Sequence, residues 1–292
     1  MNAWASAKGA GDPTCAPTGA AGKPAGTGRQ LDVPPPKSVS APGAKTGGRC
    51  YNRGIMKLAG LQKLTLLDYP GKTAATVFLP GCNFRCPFCH NAELVIGCGK
   101  GSEADFPNVS EEEFFSFLDK RQGLLDGVCI TGGEPLLQPD IAAFCEAIKQ
   151  RGFAIKLDTN GSFPNRLAEL VEANLVDCVA MDVKNAPACY AETVGRPGFD
   201  VSPVAQSVAY LLSGTVPFEF RTTVVREYHN EARLRELARW IEGTPAWFLQ
   251  GFVDSDTVLA GENILHGYSP EELRSFSTSL QEIVPNVEVR GI

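Results

Sequence analysis

Six times between residues 73 and 252, a short apolar run rich in β-branched residues leads through a polar turn into a stretch with helical periodicity. The runs lie at residues 73–79, 128–131, 153–158, 176–182, 218–225 and 247–252. Apolar runs bounded by turn signals read as buried strands. The helices between them are marked by their ends. Ser110-Glu111-Glu112-Glu113 is a capping box ahead of Phe114, Phe117 and Leu118 on one face. A helix over residues 140–151 carries the stripe Ile141, Phe144, Cys145 and Ile148 and stops at Gly152. Further helices are expected over residues 164–174, from Ser202-Pro203 as N-cap and first-turn proline, from Asn230 as N-cap, and from Ser269-Pro270-Glu271-Glu272. Strands separated by helices run parallel, and their crossovers are right-handed. Two α/β architectures meet that requirement: a doubly wound sheet and a partial, open (β/α)6 barrel.

The unusual polar residues fall at the C-terminal ends of these strands, the edge where parallel α/β folds bind ligands. The first strand runs into a cysteine loop, the second into Thr131-Gly132-Gly133-Glu134-Pro135, the third into Asp158-Thr159-Asn160-Gly161, and the fourth into Asp182-Val183-Lys184. The fifth carries Arg221-Thr222-Thr223 and the sixth Gln250. Glycines at 132 and 133 let a ligand approach the backbone closely, and Glu134 can face a cation. A tight strand-to-helix turn would use the same residues. Lys184 and Arg221 suit a carboxylate, and Asp158 or Asp182 suit ribose hydroxyls or an ammonium; any of them could instead form a structural ion pair.

Residues 1–55 differ from the rest. They are rich in Gly, Ala, Pro, Ser and Thr and carry seven basic residues against two acidic ones. With a chain total of −6, that leaves −11 on residues 56–292. Such a tail cannot bury enough apolar surface to fold, so it is expected to be disordered, with Met56 as an alternative start, and residues 56–292 are expected to form the domain. The acidic balance speaks against nucleic acid as a partner. No apolar run is long enough to span a bilayer and no signal-peptide core follows Met1, so a reducing cytoplasm is the expected compartment. Ten cysteines are then not a disulfide scaffold. Cys129, Cys145 and Cys178 sit in apolar runs and read as small buried hydrophobes, and Cys15 and Cys50 are assigned nothing. His229 and His266 read as core or surface residues, and Phe114, Phe115 and Phe117 as the core face of a helix.

The remaining cysteines carry the chemistry. Gly81-Cys82-Asn83-Phe84-Arg85-Cys86-Pro87-Phe88-Cys89-His90-Asn91 sets three thiols in the spacing C-x3-C-x2-C. A structural zinc site needs four ligands, which Cys98 or His90 would have to complete. An iron–sulfur cluster with three protein thiolates keeps one iron open for another ligand.

The cysteine loop, the GGEP turn one unit later and the six β/α units resemble the radical S-adenosylmethionine superfamily over residues 60–250. Cys-x3-Cys-x2-Cys-His-Asn resembles the activases of glycyl-radical enzymes. The stretches Gly60–Lys72, Leu157-Asp158-Thr159-Asn160-Gly161 and Phe220-Arg221-Thr222-Thr223-Val224 are similar to the activating proteins of anaerobic ribonucleoside-triphosphate reductase, with pyruvate formate-lyase activases as close relatives. The resemblance implies a (β/α)6 barrel in which Cys82, Cys86 and Cys89 ligate a [4Fe-4S] cluster whose open iron chelates S-adenosylmethionine. Phe88 would lie near the adenine, and Gly132, Gly133 and Glu134 would contact the methionyl amino group. Asp182 and Lys184 would line the pocket, with His90, Asp158, Asn160 and Arg221 as further cofactor-binding candidates. No side-chain acid or base is then required, because the cofactor carries the hard chemistry and yields the radical that takes hydrogen from a glycine Cα. The implied partners are a glycyl-radical enzyme, anaerobic ribonucleotide reductase, and an electron donor such as flavodoxin or ferredoxin. A pterin-like small substrate is the rival within enzymes, disfavoured by His90-Asn91, and a zinc-binding interaction module is the rival outside them. Two positions depart from the formate-lyase type: Tyr69 replaces a glycine, and Gln250 stands where a histidine is usual.

Overall fold

Eight strands form a single sheet in the order β1-β2-β3-β4-β5-β6-β7-β8, in a computed structural model that describes residues 56–96 and 109–291. The expectations for residues 1–55 and for Cys98 lie outside the described residues. The six expected strands are β2 (Ala74–Leu79), β3 (Gly127–Gly132), β4 (Ala154–Thr159), β5 (Cys178–Asp182), β6 (Phe218–Val224) and β7 (Trp247–Gly251). All pair in parallel. Strand order never reverses, which excludes a doubly wound sheet. Repeated right-handed crossovers put the helices that connect parallel strands on one face and curl the other into a barrel interior.

Two strands were not expected. β1 (Gly60–Thr65) pairs antiparallel with β2, and β8 (Val287–Arg290) adds in parallel to β7. Each is an edge strand, so neither shows the continuous apolar run of a strand buried on both faces. The hairpin from β1 to β2 places Tyr69 inside: its ring meets Gly127, where an added Cβ would lie 3.0 Å from the ring edge. That contact gives the tyrosine at this position a structural role at the barrel floor. The helices are α1 (Ala92–Ile96), α2 (Glu111–Asp119), α3 (Ile141–Lys149), α4 (Pro164–Glu172), α5 (Tyr190–Thr193), α6 (Ser202–Leu212), α7 (Glu231–Trp240) and α8 (Pro270–Leu280). None is long and apolar enough to cross a membrane among the described residues.

The capping box at Ser110 forms as expected, α8 opens at Ser269 with a second one, and Asn230 accepts from the Arg233 amide. Ser202 is not the N-cap of α6. It is already helical, and its amide and hydroxyl both donate to Asp200 Oδ1 at 2.9 and 2.6 Å. On α2, Phe115 is buried with Phe114 and Leu118, whereas Phe117 is only half-buried. Cys129 and Cys145 are buried as expected, and Cys178 is half-buried.

The two faces of the sheet differ in chemistry. Val77, Ile130, Leu157, Val179, Phe220 and Leu249 are sealed in the apolar core on the helix side. The alternate positions turn into the barrel, and there the register builds a ladder of charge. Lys156 pairs with Asp158 at 2.5 Å, Asp158 with Arg221 at 2.9 Å, Arg221 with Asp182 at 2.9 Å and Asp182 with Lys184 at 3.0 Å. Glu219 joins the lower end, 3.9 Å from Lys156 and 3.3 Å from Arg290. A buried ion with no partner is far more costly than a buried pair. Asp158→Ala therefore leaves Lys156 with only the distant Glu219 and should cost roughly 3–5 kcal/mol in chemical denaturation. Lys156→Met keeps Asp158 on Arg221 and should cost under half as much.

His229 is the one buried histidine among the described residues. It stitches the ends of β5 and β6 together: Nε2 donates to the Lys184 carbonyl at 2.8 Å, and Nδ1 accepts from the Val225 amide at 3.1 Å. Burial pushes its imidazole down to about 4, against the two backbone hydrogen bonds that favour the charged form. Between pH 6.5 and about 4 the unfolded chain takes up a proton that the fold refuses, so stability falls as pH drops through that window and is unaffected above it. The effect should reach roughly 2–3 kcal/mol. Equilibrium unfolding followed from pH 8 to pH 4 checks this: His229→Gln should flatten the slope relative to the unsubstituted chain.

Candidate active site

The cysteine loop follows β2 and is held by main-chain contacts on three sides. Arg85 N donates to Val194 O at 2.9 Å, at the end of α5. Leu259 N and Ala260 N, from the segment between β7 and α8, donate to Cys89 O and Pro87 O at 2.9 Å each. The third side is the GGEP turn. Glu134 N donates to Gly81 O at 2.6 Å and Gly133 N to Leu79 O at 2.9 Å. A Cβ built on Gly133 would lie 1.9 Å from Gly81 O, and one on Gly132, at φ 120°, 2.3 Å from Leu79 O. The two glycines thus admit the backbone of Leu79 at the end of β2 and of Gly81 in the cysteine loop.

Glu134 differs from its expected placement. It is fully buried and does not line the cavity above the loop. Oε1 accepts from Leu136 N at 3.0 Å and from the Thr159 hydroxyl at 2.8 Å, and Oε2 accepts from Asn160 N at 2.7 Å. Burial lifts this carboxyl to about 7 although all three donors favour the charged form. Its role is to join the GGEP turn to the end of β4.

A cavity of about 270 Å³ opens over the loop. Cys82, Cys86 and Cys89 line it together with Phe88, His90, Gly132, Gly133, Asp158, Asn160, Asp182, Lys184 and Arg221. The structure therefore gathers every expected site residue except Glu134 around one space. His90 stands at the rim, exposed, with Nε2 donating to Val253 O at 2.6 Å. Phe88 is buried against Tyr228, ring centroids 5.8 Å apart. Asp158 and Asp182 have both oxygens engaged by the ladder, so they hold the cations in place as well as facing the cavity. Phe84, Asn91 and Val95 also line the space and were not singled out as site residues, and the strand-end Thr159 lines it too. Thr131, Thr223 and Gln250 do as well. Thr223 follows Arg221 by two residues, so the period of the strand already put both on one face.

The electrostatics follow from burial. It pushes the Cys82 thiol up to about 11 and the Cys86 thiol up to about 12, and raises Cys89 too, while Lys184 pulls all three down. Burial would raise Asp182, but Arg221 and Lys184 hold it down at about 2. Burial works against the Lys184 ammonium, yet Asp182 and Cys86 keep it above its ordinary value.

Three soft thiols facing a polar wall fit a multinuclear iron–sulfur group better than a lone ion. Among the described residues, no three His, Cys, Asp or Glu side chains converge closely enough to hold a single metal ion. A cluster takes its thiolates at separate corners.

Comparison with known proteins bears on the same residues. The model of the radical SAM superfamily matches residues 76–241. A candidate glycyl-radical enzyme activating enzyme of Methanocaldococcus jannaschii is 30% identical over 239 residues, 80% of this chain and 96% of that protein. The pyruvate formate-lyase-activating enzyme of Listeria monocytogenes is 31% identical over 136 residues, 44% of this chain and 53% of that one. Among solved structures, Streptococcus suis SuiB bound to S-adenosylmethionine has a TM-score of 0.56 at 14% identity, covering 74% of this chain and 52% of that one. That likeness shows the fold alone. With the superfamily match spanning β2 through α7 and the whole cysteine loop, the chain belongs to the radical S-adenosylmethionine superfamily and is an enzyme of that type, using a [4Fe-4S] cluster and S-adenosylmethionine.

Proposed function

We propose that this chain activates a glycyl-radical enzyme, and that its partner is anaerobic ribonucleoside-triphosphate reductase. The observation that carries the reading is the convergence of three thiols from one loop with the strand-end residues of β3 to β6 on one cavity. The similarity to the Methanocaldococcus protein over nearly its whole length supports the class of activity. The reductase as target rests on the stretch from Gly60 to Lys72 and on Phe220-Arg221-Thr222-Thr223.

In this reading Cys82, Cys86 and Cys89 hold the cluster. Lys184 and Arg221 receive the cofactor's carboxylate, and their pairing with Asp182 fixes where each cation sits. The main chain at Gly132 and Gly133 meets the methionyl amino group, Phe88 lies against the adenine, and Asp158, Asn160 and His90 complete the wall. Glu134 supports that wall from beneath it. When bound, the cluster would pass one electron from the donor protein to the cofactor's sulfonium, and the carbon fragment released by C–S cleavage would take a hydrogen atom from a glycine Cα of the partner. The chain's own groups bind, orient and exclude water. The electron donor is a small redox protein such as flavodoxin or ferredoxin, and the compartment is the cytoplasm.

A second reading has its own support. The 7-carboxy-7-deazaguanine synthase of Methanopyrus kandleri is 33% identical over 130 residues, 40% of this chain and 51% of that protein. A pterin-like small substrate is therefore the alternative, beside activation of pyruvate formate-lyase.

The full chain, reconstituted anaerobically with iron, sulfide and a reductant, should release 5′-deoxyadenosine from S-adenosylmethionine. Mixed with the reductase it should give the EPR doublet of a glycyl radical. Cys82→Ala, Cys86→Ala and Cys89→Ala should each abolish both signals, whereas Cys145→Ala, remote from the cavity, should keep them. Cofactor cleavage without a doublet on any reductase or formate-lyase would favour the small-substrate reading. Zinc in place of iron and sulfide would end the whole proposal.

A further inference from the structure

Asn160 stands between the strand-end wall and the cysteine loop, and its amide is oriented by its neighbours. Oδ1 accepts from the Ser162 amide at 3.0 Å and from the Ser162 hydroxyl at 2.6 Å. Nδ2 donates to Asn83 Oδ1 at 2.9 Å and reaches Cys82 Sγ at 3.9 Å. Asn83 Nδ2 closes the ring by donating to Ser162 Oγ at 2.9 Å. Turning the Asn160 amide over would face its NH2 against the Ser162 amide N–H, so the donor side stays on the sulfur. Below it, Glu134 Oε2 holds the Asn160 main chain at 2.7 Å. The residue is 6% exposed, so little water competes for its protons.

Cys82 Sγ also receives the Phe84 amide at 3.4 Å. A backbone donor is the same for every residue type. Asn160 is different, because a side-chain donor exists only where the sequence supplies one. An N–H directed at a thiolate sulfur stabilises negative charge there, and a cluster gains negative charge on reduction. Such a donor therefore favours the reduced state.

We propose that Asn160 is a positioning and tuning residue: its amide N–H binds the Cys82 sulfur and raises the reduction potential of the cluster held by that cysteine. The proposal rests on the reading of Cys82 as a cluster ligand. It changes the role given to Asn160 by sequence from contact with the bound cofactor to contact with a ligand sulfur. Among the described residues, Cys82 is the thiol of the three that meets a side-chain amide.

The test is an anaerobic redox titration of the reconstituted full chain, followed by EPR of the reduced cluster, with iron and sulfide measured on each protein. Asn160→Leu and Asn160→Asp should hold as much iron and sulfide as the unsubstituted chain. At a fixed potential their ratio of reduced to oxidised cluster should fall about three- to tenfold, and a tenfold fall corresponds to about 59 mV for a one-electron couple. Asn160→Asp should fall furthest, because it sets a carboxylate beside the sulfur. Asn83→Ala breaks the ring but leaves the amide on Cys82, and should keep the original midpoint. A purely structural clasp predicts that the Asn83 and Asn160 variants behave alike. An unchanged midpoint in Asn160→Asp, or an equal shift in Asn83→Ala, overturns the proposal. Should Asn160→Leu fail to hold iron, the isosteric Asn160→Asp decides. If the unsubstituted chain takes up no iron and sulfide, or Cys82→Ala assembles a normal cluster, the reading of Cys82 fails instead, and these arms separate the two failures.

Discussion

The site depends on one close approach between two turns of main chain. Gly133 packs against Gly81 so tightly that no Cβ fits between them, and the Glu134 amide closes the contact on Gly81 O at 2.6 Å. The same residue then sends its carboxylate down to Thr159 and Asn160. The ends of β2, β3 and β4 are thereby fixed to one another through a single buried acid. Its charge is desolvated, which explains the lift of its carboxyl, but three directed donors offset much of that cost. The position of the cysteine loop is set by the protein's own contacts, so a metal group meets a loop already shaped for it.

The barrel interior follows from the same economy of partners. An apolar lining would pack well and bind nothing anionic. This interior instead alternates cation and carboxylate from Arg290 and Glu219 through Lys156, Asp158, Arg221 and Asp182 to Lys184. Each carboxylate serves two cations, so no charge is left without a partner, the condition under which buried ions are tolerated. Registering the side chains this way also fixes their rotamers before any ligand arrives. Binding then involves less ordering than it would with free side chains.

Much of this was legible in the sequence, for identifiable reasons. The inner strands β2, β3 and β5 read as near-continuous apolar runs, β4 and β6 alternate apolar residues with those of the ladder, and the strand ends could be read directly for polar residues. β1 and β8 were hidden because edge strands bury only part of their surface; Gly60–Thr65 is mostly half-buried or exposed. Ser202-Pro203 reads as a cap, but Asp200 two residues earlier offers a carboxylate that takes both donors of Ser202, and the helix starts one residue sooner. At the site, strand ends and cysteines were placed together by topology alone. The direction of Glu134 was not, because whether a side chain after two glycines faces the cavity or the core depends on backbone angles that residue types do not reveal. The ring of Asn83, Asn160 and Ser162 is equally invisible in sequence, since Asn83 is 77 and 79 residues from the other two and joins them only when the cysteine loop docks on β4.

The charge ladder has an end as well as a length. Its four cations, Lys156, Arg221, Lys184 and Arg290, face three carboxylates, Asp158, Asp182 and Glu219, so one positive charge is uncompensated. The terminal member on the loop side is Lys184, which shares a single carboxylate with Arg221 and lowers all three cysteine thiols. Burial alone would keep those thiols protonated, whereas metal ligation needs thiolates. Both termini of the ladder are cations, but the Lys184 side chain is 15% exposed and that of Arg290 37%, so solvent screens the charge at the loop end less. Lys184 therefore presents its charge where an electron-rich metal–sulfur group and a carboxylate would both be received, and the order of residues along β5 and β6 matters beyond stability.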